Sequence, residues 1–165
     1  MQSQFHNLPK INGVDQKEGR NFVATNSSFK ADAKKAVFST DIFNAYPVEA
    51  AVKKWVRSYQ LERGNQFIVS DEYELEEVLD GPTTLNFVTY CKVSESEPGV
   101  LHLRGDGFDL EMKYQAKSVS PKIEFHEVTD NGLRRYWPGG ISRIVFTVKK
   151  PRLKGKHEII ITNLK

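Results

Sequence analysis

The sequence predicts an all-β fold, an antiparallel β-sandwich of roughly ten strands with little helix. Three observations carry this expectation. Apolar and polar residues alternate with a period of two along several short segments. Turn signals built on Gly, Pro, Asn and Asp separate those segments. Segments rich in helix-forming residues are scarce and short.

The chain opens with Phe5-His6-Asn7-Leu8-Pro9-Lys10-Ile11-Asn12-Gly13-Val14-Asp15-Gln16. Asn12-Gly13 is a turn signal, because both residues tolerate positive φ cheaply. The segment reads as a short strand carrying His6 and Asn7, then a turn, then a polar stretch ending at Arg20. Residues 31–37 contain helix formers but form too short a run. Residues 48–55 can make a turn or two of helix after Pro47. Extended structure is expected from Val52 onward, since Trp55, Arg57, Tyr59 and Leu61 then share one face.

Arg63-Gly64-Asn65 divides this strand from the next, which covers residues 67–75. Asp80-Gly81-Pro82 precedes a run in which Leu85, Phe87, Thr89 and Cys91 alternate with Asn86, Val88, Tyr90 and Lys92. Glu97-Pro98-Gly99 and Gly105-Asp106-Gly107 punctuate the middle. Leu110, Met112 and Tyr114 then alternate with Asp109, Glu111 and Lys113. Asp130-Asn131-Gly132 and Pro138-Gly139-Gly140 flank a loop. Ile144, Phe146 and Val148 form the next strand. Lys154-Gly155-Lys156 reads as a last turn before Ile159 and Ile161.

The 165 residues are 39% hydrophobic and 27% charged, ordinary values for a globular protein, and a single domain is expected. A formal net charge of +3, with the two signs interspersed, points to no nucleic-acid face. Basic clusters stand near Lys34-Lys35, near Lys53-Lys54 and from Lys149 to Lys156. Solvated edges explain them, although an acidic polysaccharide would suit them. Cys91 is the only cysteine, so neither an intramolecular disulfide nor a cysteine zinc site can form. The first residues lack the apolar core of a signal peptide, and no apolar run approaches membrane-spanning length. Met1 before Gln-Ser-Gln-Phe-His looks like a start placed inside a longer bacterial chain, leaving the compartment, cytoplasmic or exported, open.

Several segments, taken in order, resemble the β-sandwich half of heparinase II/III-like polysaccharide lyases. The opening His6-Asn7 segment is one. Asp41-Ile42-Phe43-Asn44-Ala45-Tyr46-Pro47 resembles a stretch where an acidic residue precedes a tyrosine. Trp55-Val56-Arg57-Ser58-Tyr59-Gln60-Leu61, followed by Phe67 to Leu75, resembles the family's Arg-bearing strand and hairpin. Leu133-Arg134-Arg135-Tyr136-Trp137 followed by Arg143-Ile144 resembles its late strands. The resemblance implies the C-terminal antiparallel sandwich of a larger chain, packed on an N-terminal α/α toroid. It implies cleavage of uronic-acid polysaccharides by β-elimination. The toroid supplies most of the acid–base groups and the sandwich lends a histidine.

By that resemblance His6 is the catalytic candidate. Asn7 and Arg20 are substrate-binding candidates beside it. Tyr136 and Trp137 are candidates for stacking on sugar rings, whose C–H faces suit a π surface. Trp55 is expected in the core. Some members of the family hold zinc in the sandwich. Here Trp55 stands where a histidine often precedes the arginine by two, and the least poor ligands are His6 with Asp41 or Asp32. No metal site is therefore assigned. His102, His126 and His157 read as bland polar positions, and Asp71 as part of an exposed acidic strand face. The residues from His6 to Arg20 are expected to be looser than the strands, as an interface to the toroid. The competing expectation is a non-catalytic carbohydrate-binding or structural sandwich.

Overall fold

The computed structural model describes residues 3–164. Its strands run β1 (Pro9–Lys10), β2 (Thr25–Ala31), β3 (Lys35–Asp41), β4 (Val52–Glu62), β5 (Gln66–Leu75) and β6 (Thr84–Thr89). They continue with β7 (Lys92–Glu97), β8 (Val100–Arg104), β9 (Asp109–Tyr114), β10 (Val119–His126), β11 (Ile141–Val148) and β12 (Lys154–Asn163). Among the described residues the helical structure is limited to short 3-10 turns at Ser3–Phe5, Phe43–Ala45, Val48–Ala50 and Leu133–Arg135.

The strands form two antiparallel sheets. The smaller has the order β1-β6-β11-β10 and the larger β2-β3-β4-β5-β12-β9-β8-β7. This is the expected all-β sandwich. Leu85, Phe87, Ile144, Phe146 and Val148 of the smaller sheet share one core with Trp55, Val69, Tyr73, Leu101, Met112 and Ile159 of the larger. The rings of Tyr114 and Phe146 meet across the gap with centroids 5.0 Å apart. Trp55 is fully buried, as expected.

Residues 31–37 hold no helix: Ala31 ends β2, residues 32–34 turn, and β3 starts at Lys35. The Asp32 carboxylate accepts the backbone N–H of Lys34 at 2.7 Å and of Lys35 at 2.8 Å, closing the β2–β3 hairpin. These two bonds hold its carboxyl below the usual carboxylate range. Lys154-Gly155-Lys156 also departs from expectation. It lies within β12, paired with Glu74, Tyr73 and Glu72 of β5. Gly155 is required there because a Cβ would stand 2.7 Å from the Tyr73 hydroxyl, so the glycine serves close packing and not a turn.

The opening segment is more firmly held than its polarity suggests. Pro9 and Lys10 pair with Leu85 and Thr84. Asn12 has φ 50° and Gly13 φ 78°, as the turn signal requires. The Asn12 side chain donates to Ala50 O at 2.9 Å and to Glu77 O at 3.0 Å. Its backbone N–H donates to Thr83 Oγ1 at 3.0 Å. With Ile11 fully buried, the centre of this segment is integral to the sandwich and not a loose interface. Asn12→Ala leaves two carbonyls without their donor and is expected to cost about 2–4 kcal/mol in urea denaturation.

The larger sheet is wider than the smaller one covers. Phe29, Phe38, Tyr59 and Val69 stand opposite one another across β2 to β5 and so share the inner face. Val69 is in the core, whereas Phe29 is 68% exposed, and Phe38 and Leu61 are also exposed. Beyond the edge of the smaller sheet the inner face is an open aromatic shelf.

Candidate functional site

The strongest side-chain constellation lies at the inner border of this shelf. Arg57 on β4 and Asp71 on β5 are cross-strand partners, and each is 1% exposed. They form a two-pronged pair, with Nε donating to Oδ1 at 2.8 Å and Nη2 to Oδ2 at 2.7 Å. Trp55 Nε1 adds a bond to Asp71 Oδ1 at 2.6 Å. Burial acts against the charge of Arg57, but the Asp71 carboxylate outweighs it and the guanidinium is held above its ordinary value. The reading of Asp71 as an exposed acid is therefore corrected. It shares the face of Val69 and Tyr73, whereas Glu72 points outward.

Arg57 also fastens the turn that carries His6. Its Nη1 donates to the carbonyl of Asn7. Asn86 Nδ2 donates to Leu8 O at 2.8 Å, and the Tyr46 hydroxyl to Pro9 O at 2.6 Å. Burial pushes that phenol well above its ordinary pKa, so it remains a donor at any ordinary pH. Asn7 Oδ1 accepts from Val88 N at 2.6 Å. Four anchors thus hold residues 7–9 in one place.

His6 and Asn7 lie in a turn after Ser3–Phe5, not on the expected strand, because pairing with β6 begins only at Pro9. The His6 side chain is exposed. It lines a shallow groove of about 420 Å³ together with Leu8, Gln16, Lys17, Glu18, Gly19 and Phe22. Arg20 follows Gly19 in the chain and is exposed, but it does not line this groove. Asn7 acts as a clamp, with both its carbonyl and its side chain bonded to the sandwich.

Tyr136 and Trp137 stand on the loop between β10 and β11, with ring centroids 6.5 Å apart and Tyr136 78% exposed. That loop begins just after His126, whose ring meets Phe5 edge-on at 5.2 Å. Phe5 also lies under Arg143, 4.7 Å from its ring centroid. The aromatic pair and His6 therefore occupy the same end of the smaller sheet. Arg143 in turn bonds Glu124 at 2.6 Å. With Lys122 and then Arg143 bound to it, the Glu124 carboxyl is lowered to about 2.

Similarity to known proteins is confined to structure. No family model matches the sequence, and no curated protein matches it. The heparan sulfate lyase HepC from Pedobacter heparinus superposes with a TM-score of 0.73 at 15% identity, over 98% of this chain and 24% of that one. A heparinase III superposes at 0.70 with 17% identity, over 99% of this chain and 24% of that one. Another heparinase III structure gives 0.60 at 14% identity, over 96% of this chain. The chain has a heparinase III-like fold. It spans 24% of the length of the HepC structure it matches.

A zinc ion does not fit this heparinase-like sandwich. Asp41 spends Oδ1 on the backbone N–H groups of Phe43 and Trp55, at 3.2 and 3.1 Å. Asp32 caps its hairpin, and Trp55 fills the core. Among the described residues no three His, Cys, Asp or Glu side chains cluster as a metal would need.

Of the other histidines, His102 is solvent-exposed beside Glu111, as expected. His157 is not bland. It is buried on the inner face opposite Asp71, stacked 5.6 Å from Tyr73, and its Nε2 has no hydrogen-bond partner. Burial lowers its pKa. The unfolded chain therefore takes up a proton that the folded one resists, and this part of the stability is complete above about pH 6.5 and lost below it. His157→Gln is expected to flatten the fall in melting temperature between about pH 6.5 and 5. A curve as steep in the variant would exclude His157 as its cause.

Proposed function

We propose that this heparinase-like sandwich is one domain of a polysaccharide lyase that cleaves uronic-acid-containing chains by β-elimination, packed on an α/α toroid domain. The observation that carries the proposal is the position of His6. An exposed imidazole sits on a turn anchored by a buried ion pair, at the border of an aromatic shelf that the described residues leave open. Such a shelf is what a packing domain would bury. A cleft between the two domains would have His6 on one wall.

In β-elimination a base removes the C5 proton of the uronate. Negative charge spreads into its carboxylate, a C4–C5 double bond forms, and the bond to the oxygen on C4 breaks with its electron pair. An acid then gives that oxygen a proton. A protonated imidazole can stabilise the developing charge, and either form can pass a proton at near-neutral pH. Arg20, next in the chain to Gly19 of the groove, would pair with a uronate carboxylate. Tyr136 and Trp137 would stack on sugar rings farther along the polymer. Asn7 would hold the turn.

The test compares the 165-residue chain with the longer parent protein on heparan sulfate and alginate, following absorbance of the unsaturated uronate product. The expected result is turnover by the parent and none by the chain alone. Turnover by the chain alone, or none by the parent, contradicts the proposal. In the second reading, a carbohydrate-binding module, the Tyr136–Trp137 pair would bind glycan in a parent without lyase activity.

A further inference from the structure

The end of the sandwich where β11 gives way to β12 carries a second feature that the lyase reading does not use. A groove of about 400 Å³ opens between the two sheets there. Its rim holds five cations, Lys117, Lys150, Arg152, Lys154 and Lys156, and no carboxylate lines it. Lys154 is paired with Glu74 and Lys156 with Glu158. The side chains of Lys117, Lys150 and Arg152 form no ion pair among the described residues. Three uncompensated cations around one opening repel one another and are stabilised by an anion.

A separate observation points the same way. His157, which lines this groove, is 8% exposed, and its Nε2 lacks a hydrogen-bond partner. Buried polar atoms without partners are rare, and each calls for a ligand or another explanation. No bond joins Nε2 to its neighbour Asp71, whose carboxylate is held by Arg57 and Trp55. Tyr73 covers the ring with its face and offers no acceptor in that stack. Val148 and Arg143 lie five residues apart on one strand, so the groove is roughly 16 Å along the sheet from the His6 end.

We propose that this groove binds a sulfate or carboxylate group of an acidic glycan, with Lys117, Lys150 and Arg152 taking the charge and His157 Nε2 contacting the anion. The oxyanion chemistry follows from the groove itself. That it is carried on a glycan rests on the lyase reading above. The site gives the sandwich a hold on the polymer outside the cleft, where a second contact raises the local concentration of chain.

The test is NMR titration of the 165-residue chain with a heparin-derived tetrasaccharide and, separately, with inorganic sulfate at matched sulfate concentration. The expected result is shifts of the His157 imidazole and of backbone amides around Lys117, Lys150 and Arg152 with the tetrasaccharide. Binding should weaken at least about tenfold in a K117A/K150A/R152A variant of unchanged melting temperature, and also with added salt. Shifts confined to the His6 or Tyr136 end, or unchanged affinity in the triple variant, overturn the groove and leave the lyase reading standing. Saturation by inorganic sulfate at the same concentration overturns the glycan assignment. No shift anywhere with the tetrasaccharide contradicts the groove. Lyase turnover by the parent protein then decides the other reading separately.

Discussion

Arg57→Ala is expected to cost about 3–5 kcal/mol of stability, among the largest effects of any single substitution in this chain. The wild-type pair is fully desolvated, so removing the guanidinium leaves the Asp71 carboxylate buried with only Trp55 Nε1 as donor. Asn7 O loses its donor in the same step. Urea denaturation measures the cost. A loss under about 1 kcal/mol would mean that water or a rearranged side chain replaces Arg57, and the pair would not be the anchor described here. Replacing both partners together, as Arg57→Met with Asp71→Leu, is expected to cost less than Arg57→Ala alone, because no charge is then stranded.

His6→Ala has the opposite profile. The side chain is exposed, and the turn is held through the backbone of residues 7–9, so the melting temperature should not move. In the proposed full-length lyase kcat should fall by at least about 10²-fold, the usual loss for a positioned acid–base group. A structural histidine would do the reverse, lowering the melting temperature while turnover stays intact. That outcome would remove His6 from the proposed site.

The two substitutions fall on residues that the sequence treats very differently. The strands were legible because alternation is a local property: Leu110, Met112 and Tyr114, or Ile144, Phe146 and Val148, announce a half-buried face by themselves. Asn12-Gly13 was legible for a similar reason, since few residue pairs accept positive φ in succession. Asp71 reads as part of an exposed face and His157 as a bland polar position, although parity is available as a signal. Asp71 falls in step with Val69, Tyr73 and Leu75, and His157 with Ile159. A charged letter on an apolar face implies a buried partner, and Arg57, in step with Trp55, was its complement. The partner's identity is set by register between strands, which no single segment contains.

The candidate site is a proposal about residue types, and its geometry lies outside any one segment. His6 is a candidate by family resemblance, and the placement of its turn depends on Arg57 and Asn86, which come from β4 and β6. Lys154-Gly155-Lys156 shows the complementary error. Its glycine resembles a turn residue, yet serves close approach to Tyr73.

In the proposed lyase the aromatic shelf beside His6 faces a second domain. Hydroxyl-radical footprinting of Phe29 and Phe38 tests it most directly, because it reads side-chain exposure in the isolated chain and in the parent protein under one set of conditions. The account predicts that both phenylalanines are oxidised readily in the 165-residue chain and are strongly protected in the parent. Equal reactivity of Phe29 and Phe38 in the two would contradict it.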